Sequence, residues 1–444
     1  MTSFRATDGI LSWGGVHRGA HRLAAPGWRD ELPELLAVGR DTDMPLLAAG
    51  LRRSYGDSGL NPGGGLIDMT GLDRFISFDA AARRLTAEAG VSFDAILRLI
   101  LPHGLFLPVT PGTRFVTLGG AIANDVHGKN HHRAGTLGRW VRRLHLLRSD
   151  GREIELSPAD DTGLFAASIG GLGLTGIITR AEIELKPVAS AHIDSETIPF
   201  ANLEEFFVLA RDSEQGFEYT AAWIDCLASG SSLGRGVFIR GNHAADGPLT
   251  PVPDTPTLAV PMALPDITLS RHSVRAFNAL YHWRKARHRR GTVPLAAFFY
   301  PLDGIAQWNR IYGHRGFYQY QSVVPPATQQ EATHEMLAAI AASGQGSFLA
   351  VLKTFGDLPS PGLLSFPLAG TTLALDFPNQ GEATLTLLAR LDAIARSAGG
   401  RLYPAKDGRM PSGMFKAGYP AWEDFVSHVD PGMSSSFWRR VSND

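Results

Sequence analysis

The segment His127-Gly128-Lys129-Asn130-His131-His132 places three imidazoles, an ammonium and an amide within six residues. Such a cluster suits metal ligation, proton handling or the binding of a polar ligand. His131 and His132 are adjacent, so on a helix or strand they point apart. No carboxylate stands at ligand spacing, so we read a polar site segment without a metal. Upstream, Arg53-Ser54-Tyr55-Gly56-Asp57 is a loop whose N–H groups suit a pyrophosphate cradle; a plain surface turn is the competing reading. Pro111-Gly112-Thr113 and Gly119-Gly120-Ala121-Ile122-Ala123 would let backbone lie flat against a large planar ligand, or would pack a strand tightly on a helix. Gln319 and Gln321 flank Tyr320; on a strand both face one side, toward sugar hydroxyls, a cofactor edge or solvent.

Gly171-Leu172-Gly173-Leu174-Thr175-Gly176 matches G-x-G-x-x-G, but its context is wrong for a dinucleotide fold. That motif follows a strand and opens a helix. Here Leu164 to Ser168 reads as helix, and IITRAEIEL after it alternates like a strand. The better reading is a flexible backbone stretch passing close to a nucleotide in another fold, with a turn before a strand as the alternative.

The elements that must hold these segments are short. Buried-strand patterns run from Met44 to Leu47 and from Leu66 to Met69; Phe75 to Phe78 and Arg84 to Glu88 read as further strands. Phe93, Ile96, Leu97 and Ile100 have helical spacing behind an N-cap at Ser92. Val141 to Leu147 and Glu153 to Leu156 form a hairpin turning at Gly151, and Gly176 to Leu185 is a long strand. After Pro187 glycine thins out, and an irregular Pro- and Thr-rich loop spans about 247–265. The glycine-rich texture returns at GGRLYPAKDGRM. A second domain, residues 189–399, is therefore expected between two parts of the first, 1–188 and 400–444.

At 444 residues and 44% hydrophobic content the chain is too long for one ordinary core and too apolar for disorder. A net charge of −1 leaves no global field for nucleic acid. One cysteine, Cys226, excludes an intrachain disulfide framework. The N-terminus lacks a basic run followed by an apolar one, and no window holds 18 uninterrupted apolar residues. The expectation is a cytoplasmic protein, or one peripheral at a membrane.

The order RSYGD, LIDMTGL, AGVSFDAIL, PVTPGT, GGAIA, GGLGLTGII resembles the FAD-binding layout of the p-cresol-methylhydroxylase/vanillyl-alcohol-oxidase flavoprotein superfamily. The HGKNHH block, Gln319-Tyr320-Gln321, SFP at Ser365–Pro367, LDFP at Leu375–Pro378 and GGRLYPAKD resemble one oxidase family within it. That family serves decaprenylphosphoryl-β-D-ribose 2′-epimerisation. The resemblance implies an α+β, two-domain flavoprotein: a discontinuous FAD domain and a substrate domain with an antiparallel sheet. It implies that Arg53, Ser54, Tyr55, Gly56, Asp57, Pro111, Gly112 and Thr113 surround FAD. So would Gly119, Gly120, Ala123, His127, Gly128, Asn130, His131, Gly173, Gly176, Ile177 and Tyr403. Lys406, Gln321 and His127 would be catalytic. Lys129, Trp223, Gln319, Gln321, Lys353 and Lys406 would meet the substrate. The reaction implied is oxidation of the C2′ hydroxyl of a polyprenylphosphoryl ribofuranose, with a separate NADH-dependent keto-reductase acting next.

The chemistry of the residues agrees. A hydride-accepting flavin needs an oriented C–H, a proton acceptor and a charge near its N1/C2 edge, which Lys406 would supply. Two departures from the family pattern stand out. Arg53 takes the place of the histidine that many superfamily members bond to flavin, so FAD should be non-covalent. Ala374 stands where mycobacterial relatives carry cysteine. Finally, RHSVRAFNALYHWRKARHRR, residues 271–290, is a basic stretch with Phe277, Leu280, Tyr281 and Arg284 at helical spacing. It fits a membrane surface or lipid phosphate, or a solvated charged face. Two other functions fit the same pattern: a soluble alditol or aldonolactone oxidase using oxygen, and a non-catalytic lipid-phosphate binder.

Overall fold

The computed structural model describes residues 2–250, 258–285 and 287–443, with backbone alone at Asp266 and Ile267. Its regular structure comprises helices and three main sheets, an α+β arrangement. A four-stranded sheet runs in the order Arg5–Leu11, Arg18–Ala24, Gly65–Asp68, Leu46–Ala49. A five-stranded antiparallel sheet follows the order Phe75–Asp79, Arg84–Glu88, Ile177–Glu184, Val141–Leu147, Glu153–Leu156. Its alternating apolar residues supply one core: Leu85, Ala87, Leu144, Leu146, Ile177, Ala181 and Ile183 are all buried.

The helix Phe93–Ile100 forms for the reason its sequence suggests. The Ser92 hydroxyl accepts the Ala95 N–H at 3.1 Å, and Phe93, Ile96, Leu97 and Ile100 are each fully buried. Each such side chain contributes about 1.5–3 kcal/mol of burial. The helix Leu164–Ser168 precedes the glycine motif and the strand Ile177–Glu184 follows it, the reverse of a dinucleotide fold. Gly173 and Gly176 take φ of +76° and +134°, conformations that favour glycine.

The third sheet has eight antiparallel strands in the order Arg289–Pro294, His192–Phe200, Gly236–His243, Tyr219–Ile224, Ala350–Phe355, Gly370–Pro378, Phe317–Val324, Arg401–Leu402. The helices Leu203–Ser213, Gln329–Ser343 and Glu382–Ser397 cover one side. Their buried stripes, such as Met336, Leu337 and Ile340 or Leu387, Leu388 and Leu391, build the second core. Cross-strand partners on the other side follow from the register. Gln319 faces Asp376, Gln321 faces Ala374, Val351 faces Ala374, and Lys353 faces Thr372. Because partners share a face, these residues form one surface of the sheet.

Residues 400–443 join several parts of the fold. Arg401–Leu402 is the edge strand of the large sheet, Met414, Phe415 and Phe437 lie in its helical core, and Met433 forms a bridge to Leu46. Of the irregular loop expected near 247–265, residues 251–257 lie outside the described structure; Leu258–Ala259 is a short strand beside Ile305–Ala306.

Candidate active site

A cavity of about 1420 Å³ lies between the glycine-rich loops and the uncovered face of the eight-stranded sheet. One wall is backbone. Arg52 has φ +52°, an uncommon conformation for a non-glycine residue, and the loop through Arg53, Ser54 and Tyr55 lines the cavity. Among the described residues, the N–H groups of Arg52, Arg53 and Ser54 donate to no acceptor. Pro111, Gly112, Thr113, Gly120, Ala123, Gly128, Gly173 and Gly176 continue this wall. A Cβ on Gly112 would meet nothing within 4 Å, whereas one on Gly119 would lie 2.7 Å from Ala89 Cβ. Both readings of this glycine segment therefore hold: Gly119 is needed for packing, and Gly112 opens onto the cavity.

The other wall is the sheet face. It carries Trp223, Gln319, Gln321, Val351, Lys353, Ala374 and Asp376, with Lys129, His127, Tyr403 and Lys406 around its edge. The strand alternation that puts Gln319 and Gln321 on one side thus turns both inward. Lys406 Nζ lies 3.8 Å from the centroid of the Tyr55 ring. Tyr55 N–H donates to the Ala405 carbonyl at 3.0 Å, so the first and last glycine-rich segments meet here.

Hydrogen bonds fix the protonation state of His127. Thr372 Oγ1 donates to the Ser322 carbonyl at 2.8 Å, so toward Gln321 Nε2 at 3.3 Å it can only accept. The same amide nitrogen lies 3.1 Å from His127 Nε2 and donates to it. The proton of neutral His127 is then on Nδ1, a buried atom with no partner among the described residues. Desolvation, then the charges of Lys353, His131 and Lys406, hold the ring well below its ordinary pKa. With Nε2 accepting from Gln321, His127 has no lone pair left to act as a base and offers only an unused Nδ1–H donor.

Three ammonium groups converge. Burial pushes Lys406 down to about 7 against the opposing pull of Asp376. Burial, Lys129 and Lys406 push Lys353 to about 7, and burial pushes Lys129 to about 8. Lys129 Nζ also donates to the Phe299 carbonyl at 3.2 Å. Such convergence is unfavourable without an anion and is suited to binding one.

Five of the residues expected to touch the cofactor do not line the cavity; they support those that do. Gly56 is pressed on the Asp407 carbonyl, where a Cβ would fall 1.7 Å away. Asp57 is paired with Arg440 Nη2 at 2.7 Å, and Arg440 Nη1 also reaches Asp407 at 3.3 Å. Asn130 Nδ2 donates to the Pro108 carbonyl at 2.9 Å. His131 packs on Phe355 with ring centroids 4.4 Å apart, and Ile177 is fully buried on its strand. These positions flank the lining segments in sequence; strand alternation turns Ile177 into the core, and the packing and bonds just given hold the loop and helix residues away from the cavity.

Sequence reasoning passed over several lining residues. Ser58 Oγ, Asn124 Oδ1 and Asp376 Oδ2 are buried lining-residue atoms without a hydrogen-bond partner among the described residues. Trp13 and Asp303 also line the cavity; the Arg53 guanidinium sits 3.9 Å from the Trp13 ring and senses Asp303. Asp376 had a signal: it is the aspartate of LDFP, two residues from Ala374. Ser365 of SFP, by contrast, is structural, donating to the buried Asp125 carboxylate at 2.5 Å.

The unpaired N–H groups, the orphaned polar atoms and the flat glycine wall fit an elongated ligand with a pyrophosphate and a planar ring. Comparisons agree. Residues 20–157 match the family model described as FAD binding domain. Decaprenylphosphoryl-β-D-ribose oxidase of Mycolicibacterium smegmatis is 39% identical over 402 residues, covering 87% of this chain and 86% of that one. A Streptomyces coelicolor protein is 34% identical over 372 residues, 79% of this chain and 100% of its own length. Cytokinin dehydrogenase 10 of Oryza sativa subsp. japonica is 28% identical over 220 residues, 46% of this chain and 40% of that enzyme.

Proposed function

Because the chain belongs to the FAD-dependent oxidase family that includes decaprenylphosphoryl-β-D-ribose oxidase, we propose that it oxidises the C2′ hydroxyl of a polyprenylphosphoryl-β-D-ribofuranose to the 2′-keto sugar. It is an FAD-dependent oxidoreductase of the vanillyl-alcohol-oxidase superfamily. The single observation that carries the substrate reading is the arrangement of one cavity between a backbone wall suited to FAD and a sheet face bearing Lys353, with Lys129 and Lys406 at its edge.

In this reading the loop at Arg52–Ser54 would hold the pyrophosphate, and Gly112, Gly120 and Ala123 would leave room for the ring system. Bound FAD supplies a two-electron acceptor for the C2′ hydride. Lys406 provides positive charge for the negative charge that develops, an effect worth a few kcal/mol in a dry site. Gln319, Gln321 and the Nδ1–H of His127 orient sugar oxygens, while Lys129 and Lys353 neutralise the phosphate. FAD is non-covalent, since Arg53 offers no imidazole for attachment. The 2′-keto product passes to a separate NADH-dependent reductase.

The polyprenyl tail leaves by the rim at the helix Arg271–Lys285, where the protein meets a membrane surface. Leu258, Met262, Phe277, Leu280 and Trp283 are exposed, and Phe277 and Lys285 line the cavity. Among the described residues no helix is long and apolar enough to cross a membrane, so contact would be peripheral.

The deciding experiment is anaerobic titration of the holoenzyme. Polyprenylphosphoryl ribose should bleach the flavin absorbance, and free alditols should not. Bleaching by alditols alone would replace this reading with a soluble polyol oxidase.

A further inference from the structure

Oxidising an alcohol requires a destination for the hydroxyl proton, and His127 is closed as a base by its Gln321 bond. We propose that Asp376 is the catalytic base that removes the proton from the substrate hydroxyl. The assignment rests on the reading of this cavity as the sugar-oxidation site.

Asp376 is 1% exposed and stands on the cavity face of the strand Gly370–Pro378. Its backbone N–H donates to Ser347 Oγ at 3.2 Å, which fixes its main chain. Gln319 Nε2 donates to Oδ1 at 2.6 Å, which fixes the carboxyl plane. Oδ2 is buried and makes no well-aligned hydrogen bond among the described residues; the Tyr312 hydroxyl stands near enough to hold down its proton affinity without satisfying it. An unsatisfied buried acceptor is costly, so a native structure that retains one calls for an explanation. A substrate hydroxyl donating to Oδ2 supplies it.

The groups facing Asp376 come from four segments. Lys406 lies on the last glycine-rich loop, Tyr55 on the first, Tyr312 in the turn Trp308–Tyr312 and Gln319 on the neighbouring strand. Desolvation raises the carboxyl to about 7, opposed by Gln319, Lys406 and Tyr312. A general base acts best near the operating pH. The rivals are weaker. Burial raises the phenols of Tyr55, Tyr312 and Tyr403. The lysines face a phosphate-bearing substrate, which favours their charged form.

The step balances. The O–H bond breaks, its proton passes to Asp376 Oδ2, and its electron pair becomes the second C–O bond. The C2′ hydrogen leaves with its two electrons, which the FAD of the proposed reaction would accept. Asp376 then returns its proton to water as the ketone leaves.

The test uses the holoenzyme and Asp376→Asn. The variant should retain FAD and bind polyprenylphosphoryl ribose within roughly threefold of wild type, by spectral perturbation. Its flavin-reduction rate should fall about 100-fold or more, with the acid limb of the pH profile gone. In infrared spectra without substrate, wild type should show a carboxylic C=O band that titrates over roughly pH 6–8 and is missing from Asp376→Asn. A wild-type reduction rate with its acid limb intact, or a rise in KM alone, would overturn the proposal. If wild type is not reduced by this substrate, the substrate reading falls, and the infrared arm still judges Asp376: a titrating band supports it, and a band fixed across the range removes it.

Discussion

At the scale of residues, the cavity couples two titrating groups of opposite sign. Asp376 is raised to about 7, and Lys406 is lowered to about 7. The base acts once its proton is lost, so activity rises with pH through the first ionisation. The cation acts while its proton is kept, so activity falls through the second. Flavin reduction should follow a bell with a narrow top near neutrality, whose limbs belong to the pair. Lys406→Met should keep FAD, reduce roughly 100-fold more slowly and lose the alkaline limb. Because Lys406 favours the Asp376 carboxylate, its loss should also move the acid limb to higher pH. Stopped-flow reduction across pH checks each point; a wild-type rate in Lys406→Met would make it a packing residue.

At the scale of elements, the basic stretch divides differently from its sequence. Phe277, Leu280, Tyr281 and Arg284 do share a helix, Arg271–Lys285, but Tyr281 faces inward, its ring 4.6 Å from Trp223. Ala286 lies outside the described residues. Arg289 and Arg290 belong to the edge strand, where Arg290 pairs with Glu196 at 2.7 Å. On the helix Leu280, Trp283 and Arg284 are exposed, Phe277 and Lys285 stand at the cavity rim, and Arg287 and Arg289 are exposed beyond it. Each cation near an anionic bilayer contributes about 1 kcal/mol, and salt weakens it. Leu280→Ser/Trp283→Ser should reduce co-sedimentation with phosphatidylserine vesicles severalfold at low salt, while Arg290→Gln should change little. Equal binding by all three proteins would return the helix to a solvated face.

At the scale of the whole molecule, the two walls of the cavity come from distant parts of the chain, and Arg440 ties them by reaching both Asp57 and Asp407. A ligand bridging both walls should stabilise the fold by mass action, about 2.7 kcal/mol at one hundred times its Kd. Removing FAD should therefore lower the Tm by several degrees, and adding FAD back should restore it. Acid precipitation should leave a colourless pellet under a yellow supernatant. A yellow pellet would mean covalent flavin, and an unchanged Tm would mean that FAD does not bridge the walls.

The sequence by itself determined the short elements and the order of the cofactor segments. Ser92 at a helix start and the alternation in Ile177–Glu184 are local signals, and the glycine motif was excluded as a dinucleotide site by its immediate neighbours. Local periodicity also placed Gln319 and Gln321 on one side of a strand. Tertiary structure alone decided which side was buried, because that depends on Lys353, Thr372 and Ala374 in strands distant in sequence. It also separated lining residues from supports within single motifs: Tyr55 meets the cavity and Asp57 meets Arg440, 383 residues away. Asp376 is the sharpest case. Its letter in LDFP says carboxylate, but the unsatisfied Oδ2 and the raised proton affinity arise only where Gln319, Tyr312 and Lys406 converge on it in a site shielded from water.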